Sequence, residues 1–105
     1  KAEIDPSFVG GDKEMRKYLR ANLKYPEAAQ DNAVEGTVFV DFIVDQNGNV
    51  REVIASDVVG ELVDLTLQEE AVRVVSSMPK WVPGSQGGKP VGTQFSIPIT
   101  FQLTN

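Results

Sequence analysis

Cysteine and histidine are both absent from the 105 residues. Without cysteine there is no disulfide, no iron–sulfur cluster and no thiolate zinc site. Without histidine there is no imidazole metal ligand and no general base of the type most used near neutral pH. Positive charge is in short supply: ten Lys and Arg stand against fifteen Asp and Glu, a net charge of −5. A nucleic-acid binder normally shows a basic face, so that class is disfavoured and no nucleic-acid partner is expected. No apolar run approaches the roughly 18 residues of a membrane-spanning helix, and no signal peptide is recognisable. The first residue is Lys1 rather than Met, and a piece of a longer protein is expected. What remains is ordinary for a globular domain, with 41% hydrophobic and 24% charged residues. The length fits one domain, residues 1–105. A domain of this size buries roughly 60–70% of its unfolded surface, enough for a core without staples.

Periodicity divides the chain. After Gly10–Gly11, Asp12 is a candidate N-cap, and Met15, Leu19 and Leu23 line one helical face at four-residue spacing. Tyr25–Pro26 stops that helix, and Pro26 can open a short second one, Pro26–Asp31. From Thr37 to Asp45 apolar residues alternate, with Val38, Val40, Phe42 and Val44 on one side, as in a half-buried strand. Asn47–Gly48 follows, a pair suited to a two-residue hairpin turn because both tolerate positive φ. Val50 to Asp57 reads as the return strand, with Val53 opposite Phe42 and Ala55 opposite Val40. Leu67, Ala71, Val74, Val75 and Met78 fall on one helical face, capped by Thr66 in a capping box or by Asp64, and Pro79 ends the helix.

The last element, Thr93 to Leu103, places Phe95, Ile97, Ile99, Phe101 and Leu103 on one side and Gln94, Ser96, Pro98, Thr100 and Gln102 on the other. Pro98 cannot donate to a ladder. The strand is therefore predicted at a sheet edge with the proline nitrogen facing outward, and the first strand in the centre. The expected architecture is α+β: a three-stranded antiparallel sheet, its last strand at the edge, covered on one face by two main helices.

Most chemical constellations fail on spacing. A phosphate-binding loop ending at Gly88-Lys89 needs Gly where Pro83 stands and Ser or Thr where Pro90 stands, so Gly84–Pro90 reads as a flexible surface loop. Asp45-Gln46-Asn47-Gly48-Asn49 lacks the Gly and Glu of a calcium loop at their required places. Ser76, Ser77 and Ser85 have no histidine partner; a Lys80 or Lys89 base is the remaining route to an enzyme. Glu69 and Glu70 diverge by about 100° on a helix and read as a solvated face. Trp81 reads as a plug over one end of the core, with a binding anchor as the alternative. No catalytic residue, metal site or cofactor is expected. The open edge of the last strand has two readings: Pro98 alone blunts it against association, or the edge accepts a peptide as an added strand.

In their order and spacing, several segments together resemble the C-terminal domain of the TonB energy transducer family. They are Tyr25–Ala29, Glu35–Val44, the Asn47–Gly48 turn with Val50, Glu70–Val75, Pro79–Gly84, Gly88–Val91 and Phe95–Phe101. The resemblance runs from about Phe8 to Leu103 and implies a two-helix, three-stranded periplasmic domain of a Gram-negative bacterium. A Pro-rich linker and one inner-membrane helix would precede it, and proton-driven motor proteins of the inner membrane would act on that helix. It implies no catalysis. The partner would be an outer-membrane transporter whose N-terminal segment, the TonB box, adds as a strand to Gln94–Gln102; transmitted force would then admit siderophores, vitamins or glycans. The stretch around Tyr-Pro would also face the transporter, making Arg20, Asn22, Lys24 and Tyr25 further candidates; Asn22 and Lys24 differ from Gln-containing members of the family. Similar domains also end membrane-bound sensor or peptidase-like proteins, where they would mediate contacts without energising transport. Self-pairing of the edge into a homodimer is a further expectation.

Overall fold

The computed structural model describes residues 2–56 and 63–104. Three helices, α1 (Asp12–Asn22), α2 (Glu27–Asp31) and α3 (Leu65–Ser76), accompany five strands: β1 (Gly36–Val44), β2 (Val50–Ala55), β3 (Gly84–Gln86), β4 (Lys89–Val91) and β5 (Thr93–Phe101). The main sheet is antiparallel with the order β2-β1-β5. The first strand is central and the last is at an edge, as the proline argument requires.

Alternation decides which face is buried. Val38, Val40, Phe42 and Val44 of β1 and Ile97, Ile99 and Phe101 of β5 share the core with Leu67, Ala71, Val74 and Val75 of α3. Leu67, Ala71, Val74 and Val75 are each 0% exposed. Burying a Leu or Val side chain stabilises by about 1.5–3 kcal/mol, so the apolar stripe of α3 outweighs any local preference. Asp64 caps that helix, its carboxylate accepting from the Thr66 amide at 2.8 Å. The helix ends at Ser76, before Pro79 is reached. Met15, Leu19 and Leu23 of the α1 region pack on the same core, and the Tyr18 hydroxyl donates to the Val74 carbonyl at 2.9 Å. Both longer helices therefore lie on one face of the sheet. The opposite face is open: Phe39 is 40% and Ile54 59% exposed.

Several local expectations are corrected. Gly11, not Asp12, is the N-cap of α1, with φ 83°, and no side chain caps the helix. The β1–β2 loop has three residues, because Asp45 pairs with Asn49 and the Gly48 amide donates back to the Asp45 carbonyl. Only Gly48 of the Asn47–Gly48 pair takes positive φ, 86°. The extra residue displaces the register until Glu52, at φ 52°, forms a bulge; beyond it Val40 faces Ala55 as a two-residue turn would have placed them. Strand β2 ends at Ala55, and Asp57 of its expected range lies outside the described residues.

Gly84–Pro90 is not a loose loop. It forms the β3–β4 hairpin, with Gly87 and Gly88 at φ 58° and 77° in its turn. The N-terminal segment adds to it: Ile4 bridges Ser85, Ser7 bridges Val82, and the Glu3 carboxylate accepts from the Gly87 amide at 2.6 Å. Trp81 is 4% exposed, within 5.2–5.8 Å ring-centre distance of Phe8, Phe42 and Phe95. Its indole N–H is buried without an acceptor. Trp81 is a plug, held as well by its amide donating to the Gly48 carbonyl at 2.8 Å.

Candidate functional site

Strand β5 pairs with β1 over nine residues without a bulge, and among the described residues no strand pairs with its other side. The direction of its free groups follows from β1. The Phe39 carbonyl accepts from the Ser56 amide at 2.7 Å and the Asp45 amide donates to the Asn49 carbonyl at 2.9 Å. Odd-numbered residues of β1 therefore turn their main chain toward β2. In an antiparallel ladder both polar groups of a residue point the same way. Pro98 faces Phe39, so its nitrogen and carbonyl point to the open edge, as the sequence predicted. The same parity directs outward the amides of Gln94, Ser96 and Thr100 and the carbonyls of Gln94, Ser96, Pro98 and Thr100. A proline here breaks no bond to β1; it removes one donor from the free edge and leaves the rest.

These side chains are exposed and lie on the open face of the sheet with Thr37, Phe39, Asp41 and Ile43, their register partners. Thr37 and Thr100 hydroxyls meet at 3.1 Å. Gln102 is exposed just beyond the strand. The next residue is anchored, the Leu103 amide donating to the Glu35 carboxylate at 2.7 Å. Gln94 and Ser96 share a shallow hollow with Asp41 and Phe95.

Next to the same edge runs a groove of about 310 Å³ between α1 and β5, lined by Arg16, Leu19, Arg20, Leu23, Ile99 and Thr100. It brings two expected site residues, Arg20 and Thr100, together. Arg16, Leu19 and Leu23 were not among the expected site residues. Their signal was present: Arg16 and Arg20, like Leu19 and Leu23, are four apart and so share a helix face.

The remaining expected residues serve first to hold the chain. Tyr25 is half-buried, its hydroxyl donating to the Val34 carbonyl and its ring meeting Phe101 edge-on at 5.6 Å. Burial, with the neighbouring Glu35 charge, pushes its phenol pKa up. Asn22 donates through Nδ2 to the Tyr18 carbonyl at 2.8 Å, and its own carbonyl accepts from Arg73 Nη2 at 2.9 Å. The Lys24 amide donates to Glu70 Oε2 at 2.7 Å, while Arg73 Nε donates to Glu70 Oε1 at 2.7 Å. Glu70 is thus not a solvated residue: the Arg73 hydrogen bond and then the Lys24 amide hold its carboxyl below the usual range. This Glu70–Arg73 pair ties the chain between α1 and Tyr25 to α3, leaving the Asn22 and Lys24 side chains at the surface. Among the described residues no cluster of three or more acidic side chains is placed to hold a metal ion.

Comparison with known proteins agrees with this geometry. The family described as Gram-negative bacterial TonB protein C-terminal matches residues 21–103. The chain is similar in fold to the solution structure of the Helicobacter pylori TonB C-terminal domain, residues 194–285. The TM-score is 0.65 at 22% identity, over 89% of this chain and 94% of that one. A longer form of the same domain, residues 179–285, gives 0.64 at 22% identity, over 89% of this chain and 80% of the other. A search of curated proteins returns no match. With four-fifths of its length matched by the family and its fold similar to that of the Helicobacter pylori domain, the chain belongs to the family of Gram-negative bacterial TonB protein C-terminal domains.

Proposed function

We propose that this domain grips an outer-membrane transporter by taking its TonB box as an added strand on the free edge of β5, and transmits force to it for active uptake. The domain works in the periplasm as the C-terminal part of an energy transducer. An inner-membrane helix ahead of it couples to motor proteins driven by the proton gradient. It is a binding module with no chemistry of its own. The observation that carries this reading is the open edge of β5, where three amides and four carbonyls of Gln94, Ser96, Pro98 and Thr100 point away from β1. Main-chain groups left unpaired at an edge are a template for a foreign strand. Each docked hydrogen bond contributes about 0.5–1.5 kcal/mol net. After association costs, such an edge gives a reversible grip, as a device that must release requires. Among the candidates, Arg20 flanks the docked strand, and the exposed Asn22 and Lys24 with Tyr25 form a second contact zone.

Thr100→Pro removes one of the three outward amides without touching a bond to β1. The loss of one hydrogen bond weakens a TonB-box peptide by about two- to tenfold. Thr100→Val removes the hydroxyl contact with Thr37 equally but keeps the amide, so its affinity stays at the wild-type value. Calorimetric titration of both variants decides: equal affinities would remove the edge of β5 as the docking site.

A further inference from the structure

Charge is distributed unevenly along this chain. Five of its ten basic residues, Lys13, Arg16, Lys17, Arg20 and Lys24, fall within twelve consecutive positions that hold one acid, Glu14. The net charge is −5, so the remainder of the domain is more acidic still. Helix α1 sorts these residues by face. Met15, Tyr18 and Leu19, with Leu23 at its end, pack against the core. At 100° per residue, Lys13, Lys17 and Arg20 fall on the side directly opposite, with Arg16 on their flank. Asp12 and Glu14 lie about a quarter-turn to either side. All five basic residues are exposed. The ion pairs among the described residues are Arg51 with Asp45 and Arg73 with Glu70, and none of the five joins one. Like charges three and four residues apart on a helix repel each other. The outer face of α1 is therefore a row of cations about 10 Å long from Lys13 to Arg20, and Lys24 follows just beyond its end.

We propose that this outward face of α1 is an electrostatic contact for a membrane surface rich in anionic lipid headgroups. The shape of the row favours a surface over a small ligand. Side chains on the outside of a helix diverge, so they do not converge on a single anion, whereas each can settle independently on a plane of phosphates. The contact is shallow. The apolar side chains of α1 are committed to the core, so no hydrophobic face is left to enter the acyl region, as an interfacial amphipathic helix would require. Adhesion then rests on charge alone, and each Lys or Arg held near an anionic surface contributes about fivefold in binding. The acids elsewhere on the domain oppose it weakly, because at physiological salt charges more than about 8 Å away are largely screened. Lys13 and Lys17 do not line the groove beside β5, and the contact holds whether or not that edge takes a strand.

The test is sedimentation of the wild-type domain with vesicles of phosphatidylcholine, either pure or with one-third phosphatidylglycerol. Binding to the anionic vesicles is expected to be about tenfold or more tighter than to the neutral ones at low salt, with the difference vanishing as salt rises. Lys13→Gln with Lys17→Gln should weaken the anionic binding about tenfold or more. Lys80→Gln with Lys89→Gln makes the same change in net charge off the stripe, and should alter it less than about threefold. The thermal unfolding of both variants is followed alongside, to show that each is folded. Failure of the wild type to bind anionic vesicles at low salt would overturn the proposal, and so would equal losses from the two lysine pairs. Polyglutamate and a short DNA duplex serve as further probes: if either binds through Lys13 and Lys17 while the vesicles do not, the stripe serves an acidic macromolecule and the lipid contact is refuted.

Discussion

Gly48 and Gly87 offer two substitutions of one kind whose outcomes must differ if the β1–β2 turn is locked to the Trp81 segment. Both glycines have positive φ, 86° and 58°. Alanine in the left-handed region costs about 1–2 kcal/mol, and a stiffer unfolded chain returns about 0.4–1 of that. For Gly87 that is the whole effect, since a Cβ there would meet nothing within 4 Å. At Gly48 a Cβ would stand 2.3 Å from the Trp81 carbonyl oxygen. Something must move, and the neighbour is backbone, held by the Trp81 amide bonded to the Gly48 carbonyl at 2.8 Å. Losing that bond costs about 0.5–1.5 kcal/mol, and displacing the indole from its contacts with Phe8, Phe42 and Phe95 costs about 1–3 more. Gly87→Ala should thus destabilise by about 1 kcal/mol and Gly48→Ala by about 3. In a domain of this size the difference corresponds to about 8–16 °C in melting temperature. Urea unfolding of the two variants, with slopes checked for equality, measures it. Equal losses would refute the close approach of the turn to Trp81.

Val74 is 0% exposed on the core face of α3. Val74→Asp buries an unpaired carboxylate at a cost of several kcal/mol, against about 5–15 kcal/mol for the entire fold; dispersed amide NMR signals should be lost, and a folded product would mean the face is misassigned. Glu70 has its pKa lowered by Arg73 and the Lys24 amide, so it contributes stability above its unfolded pKa that is lost as pH falls through the folded value. Glu70→Gln should be less stable than wild type at pH 7, with the gap closing on acidification. A gap that stays constant with pH would contradict the bond network.

The periodic elements were legible because one physical term dominates them. The stripe of α3 and the alternations of β1 and β5 each bury a row of apolar side chains, and no local preference competes with that. Pro98 fixed the position of β5 through a missing donor. Other features depend on partners distant in sequence. Glu70 reads as solvated until Lys24 and Arg73 are brought to it, and Ile4 and Ser7 pair with Ser85 and Val82 in a stretch whose glycines and prolines suggest a loop. The hairpin is an intermediate case: Asn47–Gly48 marked the place, but one extra residue in the loop had to be absorbed at Glu52. At the candidate site, Gln94, Ser96, Pro98 and Thr100 could be found by alternation. The α1 groove was legible only in part: four-residue spacing puts Arg16 with Arg20 and Leu19 with Leu23 on one helix face, but that this face meets β5 emerges only when α1 is laid along the strand.

The most direct test follows the backbone amides of the domain by NMR hydrogen exchange as a TonB-box peptide is added. Gln94, Ser96 and Thr100 should pass from fast-exchanging to protected, while Ile97 and Ile99, already bonded to β1, stay as they were. Protection that arises along β2 instead, with those three amides still exchanging freely at saturating peptide, would contradict the account.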